Sequence, residues 1–306
     1  MQPTLLEGQN LKYFYFPENQ GTILSQGKFS VVYLGAELIS KEKVIIKKLS
    51  PALFNNEFAK MKFFIEAGFN LQHEGIAKNI DLIVVNENLF IIQEFIPGPT
   101  LKELIYNKKY LNYKYNQFFI KIIIQCLEIL SFIHSKQLCH CDIKPSNIII
   151  YSQYEELDIE NPKIKLIDFG NVKKSFSNDE LEQKYQTYNI QYASPEQIFG
   201  FPELIGEHTD IFSMGLIFFE TIAKEPALKI GNPLTYRRLQ TVIPINQHYR
   251  INDELHYIIS KATVKPNLEK SEKYYYETDL KMLIIKALSQ RYQNAEDFIK
   301  DLSKLL

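Results

Sequence analysis

The hydrophobic pattern of this chain changes its period once, at "IPGPT" (residues 96–100), and that change limits the folds open to it. Before the break the apolar runs are short and β-branched. "VVYLGAEL" and "KVIIKKL" flank the polar turn "ISKEK", and "GIAKNIDLIVV" and "NLFIIQEFI" flank "NEN". Runs of this kind, separated by turn residues, read as strands of an antiparallel sheet. One segment among them differs. "FNNEFAKMKFFIEAGFNLQ" (54–72) has apolar residues at 54, 58, 61, 64 and 65, the spacing of a single long helix. After the break, helical spacing dominates from Leu101 to the C-terminus, interrupted by strand-like "NIIIY" and "KIKLIDF". A strand-rich part followed by a helix-rich part predicts an α+β fold of two lobes. The small sheet lobe is expected over about 1–96, the hinge at about 94–100 and the large, mainly helical lobe over about 101–306, with a cleft at the joint.

The bulk properties exclude several classes. With 306 residues and 45% hydrophobic content the chain can bury a sizeable core. A formal net charge of −1 points to no nucleic acid and no anionic membrane as an obligatory partner. Three cysteines, Cys126, Cys139 and Cys141, are an odd number and give no disulfide framework, so a reducing, cytoplasmic location is expected. The start, "MQPTLLEGQNLKYFYF", lacks a basic region followed by an apolar core, and no secretory signal is expected. The two most apolar stretches are 118–133, which carries Lys121, Gln125 and Glu128, and 211–223, which is too short to span a bilayer. Both are expected as buried core helices, with no membrane insertion.

Taken singly, the candidate chemical residues are weak signals. Gly27 in "SQGKFSVVY" (25–33) reads as a hairpin turn, and Lys47 as a solvated lysine near the end of a strand. "LCHCDIKPSNIII" (138–150) places two cysteines around a histidine, which suggests part of a metal clip. It lacks a second pair at zinc-site spacing, so Cys139 and Cys141 are expected to be reduced loop residues. Order and spacing carry the signal. A turn with Gly27 is followed by Lys47 and then by a helix with Glu57. His140-x-Asp142-x-Lys144-Pro-x-Asn147 comes next, then Asp168-Phe169-Gly170 closing a strand, "SPE" (194–196) and "TDIFSMG" (209–215).

In this order the motifs resemble those of the eukaryotic-type serine/threonine protein kinases, over nearly the whole chain from Thr22 to Leu302. "HCDIKPSNI" together with "KLIDFG" is the most specific part. The resemblance implies a single bilobal kinase domain over 1–306, ATP with Mg²⁺ or Mn²⁺ and a protein substrate, and it leaves room for a regulatory protein partner. Phosphoryl transfer requires neutralised phosphates, divalent cations and a carboxylate that orients the attacking hydroxyl. By resemblance Asp142 is that carboxylate, and Lys144 reaches the transferring phosphate and favours Ser/Thr acceptors. Asn147 and Asp168 supply oxygens of the kind hard Mg²⁺ prefers. Lys47 holds the α and β phosphates, oriented by an ion pair with Glu57. Ser25 and Gly27 lie in the loop over the phosphates, Val32 and Ile45 pack on adenine, Gln93 is the gatekeeper, and the backbones of Glu94 and Ile96 take the adenine edge. Asp210 is expected to hold the catalytic loop backbone, and Glu196 to pair with Arg291. "YASPEQ" resembles bacterial members, which would place an exported form in a host cytosol.

The chain also departs from the family pattern. Ser25 and Ser30 replace the flanking glycines of the phosphate loop, which stiffens it, and Ile45 replaces a small residue over the adenine, so weakened ATP binding is expected. Glu66 rivals Glu57 as the partner of Lys47. Glu57 is preferred because an apolar residue, Met61, follows it by four, whereas Asn70 follows Glu66. Asn189 stands where a threonine is usual. Cys141 stands where many members carry an arginine that gathers an activating phosphate, so activity independent of phosphorylation at Ser175, Ser177, Thr187, Tyr185 or Tyr188 is expected. "YSQYEELDIENP" (151–162) is expected as a solvated acidic tip, and 267–290 as an added helix with the tyrosines 274–276 in core packing. Two other readings are a pseudokinase scaffold that binds a partner without turnover and a small-molecule kinase of related fold.

Overall fold

The computed structural model describes residues 2–112, 115–151, 157–177, 187–229, 232–269 and 272–306. Two compact units emerge, Met1–Pro97 with Asp168–Gly170, and Gly98–Ile167 with Asn171–Leu306. The division falls within "IPGPT".

The first unit is built on one antiparallel sheet. Its strands are β1 (Thr4–Glu7), β2 (Lys12–Tyr15), β3 (Ile23–Gln26), β4 (Ser30–Glu37), β5 (Lys43–Leu49), β6 (Asn79–Val85) and β7 (Asn88–Glu94). The order is β1-β2-β4-β5-β7-β6, with β3 also pairing with β4. Side chains alternate across a strand, and on β5 this alternation separates two cores. Val44 and Ile46 join Leu6, Tyr13, Tyr15 and Ile92 in one cluster. Lys47, whose cross-strand partner is Ile91, shares the opposite face with a second cluster of Leu49, Ala59, Phe63, Leu89 and Ile91. Helix α1 (Glu57–Gly68) contributes Ala59 and Phe63 to that cluster. It starts at Asn56, whose side chain accepts from the Ala59 N–H, a good N-cap.

The hairpin β1–β2 lies within the small lobe expected over about 1–96, but its strands are not among those the sequence pattern announces. Each strand has only four residues, too few for alternation to be distinctive. Tertiary burial holds it, through Tyr13 and Tyr15. At its turn the Gln9 N–H donates to Asp81 Oδ2 on β6 (3.0 Å), so the sheet curls until its two ends meet.

The second unit contains α2 (Leu101–Tyr106), α3 (Asn116–His134), the paired strands β8 (Leu138–Cys139) and β11 (Lys173–Lys174), the hairpin β9 (Ile148–Tyr151)–β10 (Lys163–Leu166), and a helical remainder. That remainder comprises α4 (Pro195–Phe199), α5 (Glu207–Ala223), α6 (Pro233–Val242), α7 (Asp253–Ala262), α8 (Glu277–Leu288) and α9 (Ala295–Ser303). Helix α3 is long and apolar enough to cross a membrane by length and composition. In the fold it packs against α5 and α9 and buries Phe118, Phe119, Ile122, Ile123, Leu130 and Ile133, as a core helix does. Helix α5 is buried along nearly its whole length. A Cβ on its Gly215 would lie 2.6 Å from Thr263 and 2.8 Å from Ala262, so the close approach of α5 and α7 depends on glycine.

One expectation for the insertions changes. The added helix is α8, but Tyr274 and Tyr276 before it are 61% and 81% exposed and take no part in a core. At the acidic tip the described carboxylates, Asp158 and Glu160, are exposed as expected. Asp158 accepts from the N–H groups of Glu160 and Asn161 and closes a turn, and Glu160 pairs with Lys121 at 3.5 Å. Glu155 and Glu156 lie outside the described residues.

Candidate active site

The first unit assembles Lys47, Glu66 and Asp168. Lys47 Nζ donates to both carboxylate oxygens of Glu66, at 2.7 and 2.5 Å, and to Asp168 Oδ1 at 3.3 Å. The expected partner Glu57 is not there. Its side chain is 84% exposed and pairs weakly with Lys60, one turn on. The reason is helical phase. Glu57 and Glu66 are nine residues apart, and at about 100° per residue they lie on opposite faces of α1. Glu57 opens the helix, where an acidic residue suits the dipole. Met61, the residue that favoured it, lines a groove on the same outward face with Glu57, Lys60, Phe64 and Ile65. Glu66 instead continues the buried series Ala59, Phe63, Glu66. The apolar positions legible in the sequence, 58, 61, 64 and 65, mark the opposite face, and Phe64 and Ile65 on it are exposed, so the core phase of Glu66 appears only in the fold.

Burial disfavours the charge on Lys47, but the carboxylates of Asp168 and Glu66 outweigh it and hold its pKa above the ordinary lysine value. Burial and the nearby Asp168 charge push Glu66 up, against the opposing pull of Lys47. Phe69, just beyond the end of α1, stacks on Phe169 with centroids 4.1 Å apart and rings nearly parallel. The apolar contact expected four residues after the glutamate is therefore made three residues after it. Asp168 has φ 66°, a left-handed backbone that costs a non-glycine residue on the order of 1–3 kcal/mol and concentrates at functional sites.

In the second unit Asp142, Lys144, Asn147 and Asn189 form another group. Lys144 Nζ donates to Asp142 Oδ2 (2.7 Å), and the Asn189 N–H donates to Asp142 Oδ1 (3.1 Å). Asn147 Nδ2 donates to the Asp142 carbonyl (3.1 Å). The loop that carries them is held by its backbone. Asp210 on α5 accepts from the N–H groups of His140 and Cys141, at 2.8 and 2.9 Å, and Gln197 on α4 donates to the Cys141 carbonyl (2.9 Å). This restrains Cys141 at φ 62°. Burial works against the charge of Asp210, but its bond to His134 and the field of His134 and His140 keep its pKa below the usual range. Glu196 on α4 forms a fully buried ion pair with Arg291 (2.9 Å) and also accepts from Thr209. Cys139, with its Sγ 3.2 Å from Ser175 Oγ, packs with Cys141 and Ile205 in a small apolar cluster. Among the described residues His134, Cys139 and Asp210 lie close enough to share an ion, but Asp210 is already engaged by His134 and two backbone N–H groups.

The remaining sequence-predicted residues lie in the first unit. Ser25 pairs with Val32 across β3–β4 beside a register shift. Val32 lies opposite Lys47, and Ile45 opposite Leu34 on one side and Gln93 on the other. The Glu94 N–H donates to the Lys78 carbonyl. Ile96 is buried. The Gly27 N–H donates to the Ser30 carbonyl (2.9 Å).

Comparison with known proteins decides the family, because the protein kinase domain model matches residues 19–304. The chain belongs to the protein kinase domain family. This kinase domain is 31% identical to maternal embryonic leucine zipper kinase of Xenopus laevis over 68% of the chain and 30% of that protein. It is 26% identical to a probable serine/threonine-protein kinase of Clostridium perfringens over 92% of the chain and 37% of that protein. It is 27% identical to the serine/threonine-protein kinase PknB of Mycolicibacterium smegmatis over 80% of the chain and 39% of that protein. It thus matches about a third of the length of these relatives. Within the kinase domain, sequence reasoning missed two contacts, the stacking of Phe69 on Phe169 and the Asn189 N–H on Asp142. Asn189 meets Asp142 through its N–H, a group every residue but proline carries, so no side-chain rule could find it.

Proposed function

We propose that this domain transfers the γ-phosphate of ATP to serine or threonine hydroxyls of a protein substrate, in a reducing cytoplasm suited to its three buried cysteines, none of which is in a disulfide. The observation that carries the reading is the geometry of Asp142. Its two oxygens are each held by a separate donor, Lys144 and the Asn189 N–H, which orients the carboxylate to accept the hydroxyl proton and aim the oxygen. Lys144, already on Asp142, extends its charge toward the transferring group. Lys47, with Glu66 orienting it, binds the α and β phosphates. Val32 and Ile45 pack on the adenine, with Gln93 behind it and the backbones of Glu94 and Ile96 along its edge.

The donor set fits a hard cation. Asn147 spends its Nδ2 on the Asp142 carbonyl, which leaves an amide oxygen, and Asp168 adds a carboxylate. Mg²⁺ or Mn²⁺, when bound, neutralises charge on the phosphates. Gly27 supports close approach of the phosphates in its own way. A Cβ there would meet only Ser30 O at 3.7 Å, an ordinary contact, so the turn itself does not need glycine and room for the phosphates is the role proposed for it. The lysine of "DIKPSN" and the serine/threonine kinases among the relatives support hydroxyl acceptors on Ser or Thr.

The test is γ-labelled ATP with Mg²⁺, first with the protein alone and then with generic protein and small-molecule acceptors. Label on Ser or Thr of protein is expected. Transfer only to small molecules would replace the substrate class, and nucleotide binding without any transfer would establish a scaffold.

A further inference from the structure

The C-terminal end of α1 is tied to the sheet by two side-chain amides. Asn79 Nδ2 on β6 donates to the carbonyls of Glu66 (2.5 Å) and Phe69 (3.0 Å), with a longer approach to Ala67 (3.3 Å). The Glu66 carbonyl also accepts the closing bond of the helix from the Phe69 N–H (3.2 Å), and the Ala67 and Phe69 carbonyls lie at the end of the helix, where carbonyls lack intrahelical partners. Gln93 Nε2 on β7 donates in turn to Asn79 Oδ1 (2.8 Å). That bond fixes which way the Asn79 amide faces, and the Gln93 amide also favours the charged form of Glu66. Glu66, two residues from the end of α1, thus has its own carbonyl clamped by Asn79 while its carboxylate holds Lys47.

We infer that Asn79 and Gln93 are positioning residues for the Lys47–Glu66 ion pair, holding α1 so that the pair stands formed with no partner bound to the helix. The inference rests on the proposed kinase reading for its effect on rate. The clamp itself rests on geometry. A helix of twelve residues is marginal by itself in water, and its tertiary anchors decide where it lies. At its start Glu57, Lys60 and Phe64 are at the surface. At its end a relay of amide hydrogen bonds runs from two neighbouring strands. Because the relay uses groups within the unit, no external contact is required to bring Glu66 to Lys47.

The experiment compares wild type with Asn79→Leu, Gln93→Met and Glu66→Gln, singly and with each of the first two combined with Glu66→Gln. Folding is checked by circular dichroism, and transfer from γ-labelled ATP gives kcat/KM. The ionisation of Lys47 is followed separately, by pH-dependent acetylation with trace acetic anhydride and mass spectrometry. Asn79→Leu is expected to lower kcat/KM about tenfold or more, within the roughly 10²-fold that a misplacement of about 1 Å can cost. Its effect and that of Glu66→Gln should not add, because both act through one carboxylate. The titration of Lys47 should move down in Asn79→Leu and Gln93→Met. An unmoved Lys47 titration together with additive losses would overturn the inference. If wild type transfers no phosphate, the kinase reading fails while the titration still decides the clamp. If Asn79→Leu does not fold, Gln93→Met gives the same readouts with Asn79 in place.

Discussion

The loop around Asp142 takes its shape from buried groups that converge on its backbone, whereas the group around Lys47 is held by side chains meeting between a strand and a helix end. In the loop, His140 and Cys141 are gripped through their N–H groups by Asp210, and Cys141 through its carbonyl by Gln197. Asp210 is completely buried, where a hydrogen bond to a charged group is strong. None of these bonds uses the side chain of Cys141, so the loop backbone is held independently of the residue type at that position. Around Lys47 the geometry depends on the identity of each side chain. The difference teaches that backbone-held sites tolerate substitution and side-chain-held sites do not, and it can be tested from both ends.

The largest effect is expected at Asp142 itself. Asp142→Asn should cut phosphate transfer by roughly 10²–10⁴ while calorimetry shows Mg²⁺–nucleotide binding close to wild type. A folded mutant that kept a tenth of the activity would remove Asp142 from the chemistry. Next comes the support of the same region. Arg291→Leu leaves Glu196 buried and unpaired, which should cost about 3–5 kcal/mol in denaturant unfolding. Burial raises the pKa of Glu196, but Arg291 and His208 more than offset this and hold it below the ordinary carboxylate value. A depressed pKa contributes stability above the unfolded value, about 4.3, and loses it as pH falls through the folded value. Wild type should therefore lose stability below pH about 4, and that part of the acid response should be missing in Arg291→Leu.

A smaller but more discriminating effect separates the two glutamates of α1. Glu66→Gln should lower kcat/KM by about 10²-fold, and Glu57→Gln, at an exposed and weakly paired position, should leave it near wild type. The reverse result would mean that α1 turns by half a revolution when nucleotide binds. The smallest effect is expected from phosphatase treatment. A thiol such as that of Cys141 is only a weak donor for a phosphate, so dephosphorylated and autophosphorylated protein should differ little in the same peptide assay. A drop of more than tenfold on dephosphorylation, reproduced by a Ser175/Ser177/Thr187 triple alanine variant, would show that another cation reads the phosphate.

The parts of the molecule legible in the sequence are those in which neighbours along the chain are neighbours in space. The alternation of Val44, Ile46 and Lys47 on β5, the long apolar runs of α3 and α5, and the spacing within His140–Asn147 all belong to this class. Glu196 with Arg291, and Asp210 with the loop backbone, are distant in sequence but occupy motifs distinctive enough to be paired by resemblance. Local pattern failed where a choice depended on what lies opposite. β1 and β2 are too short to announce themselves, and only the curl that brings Gln9 to Asp81 makes them strands of the sheet. Tyr274 and Tyr276 are aromatic yet exposed, because α8 buries Ile284, Ala287 and Leu288 and leaves them outside. Choosing Glu66 over Glu57 required the phase of α1 against β5, and that phase is set by Ala59 and Phe63 in the second core and by the amides of Asn79 and Gln93 at the helix end. The sequence alone determined that a lysine, two aspartates and an asparagine stand in kinase order on strands and loops, since those positions match the family's motifs by resemblance. Which carboxylate meets Lys47, and which N–H meets Asp142, was decided only by tertiary structure, because a helix face and a backbone donor acquire partners only when separate elements pack.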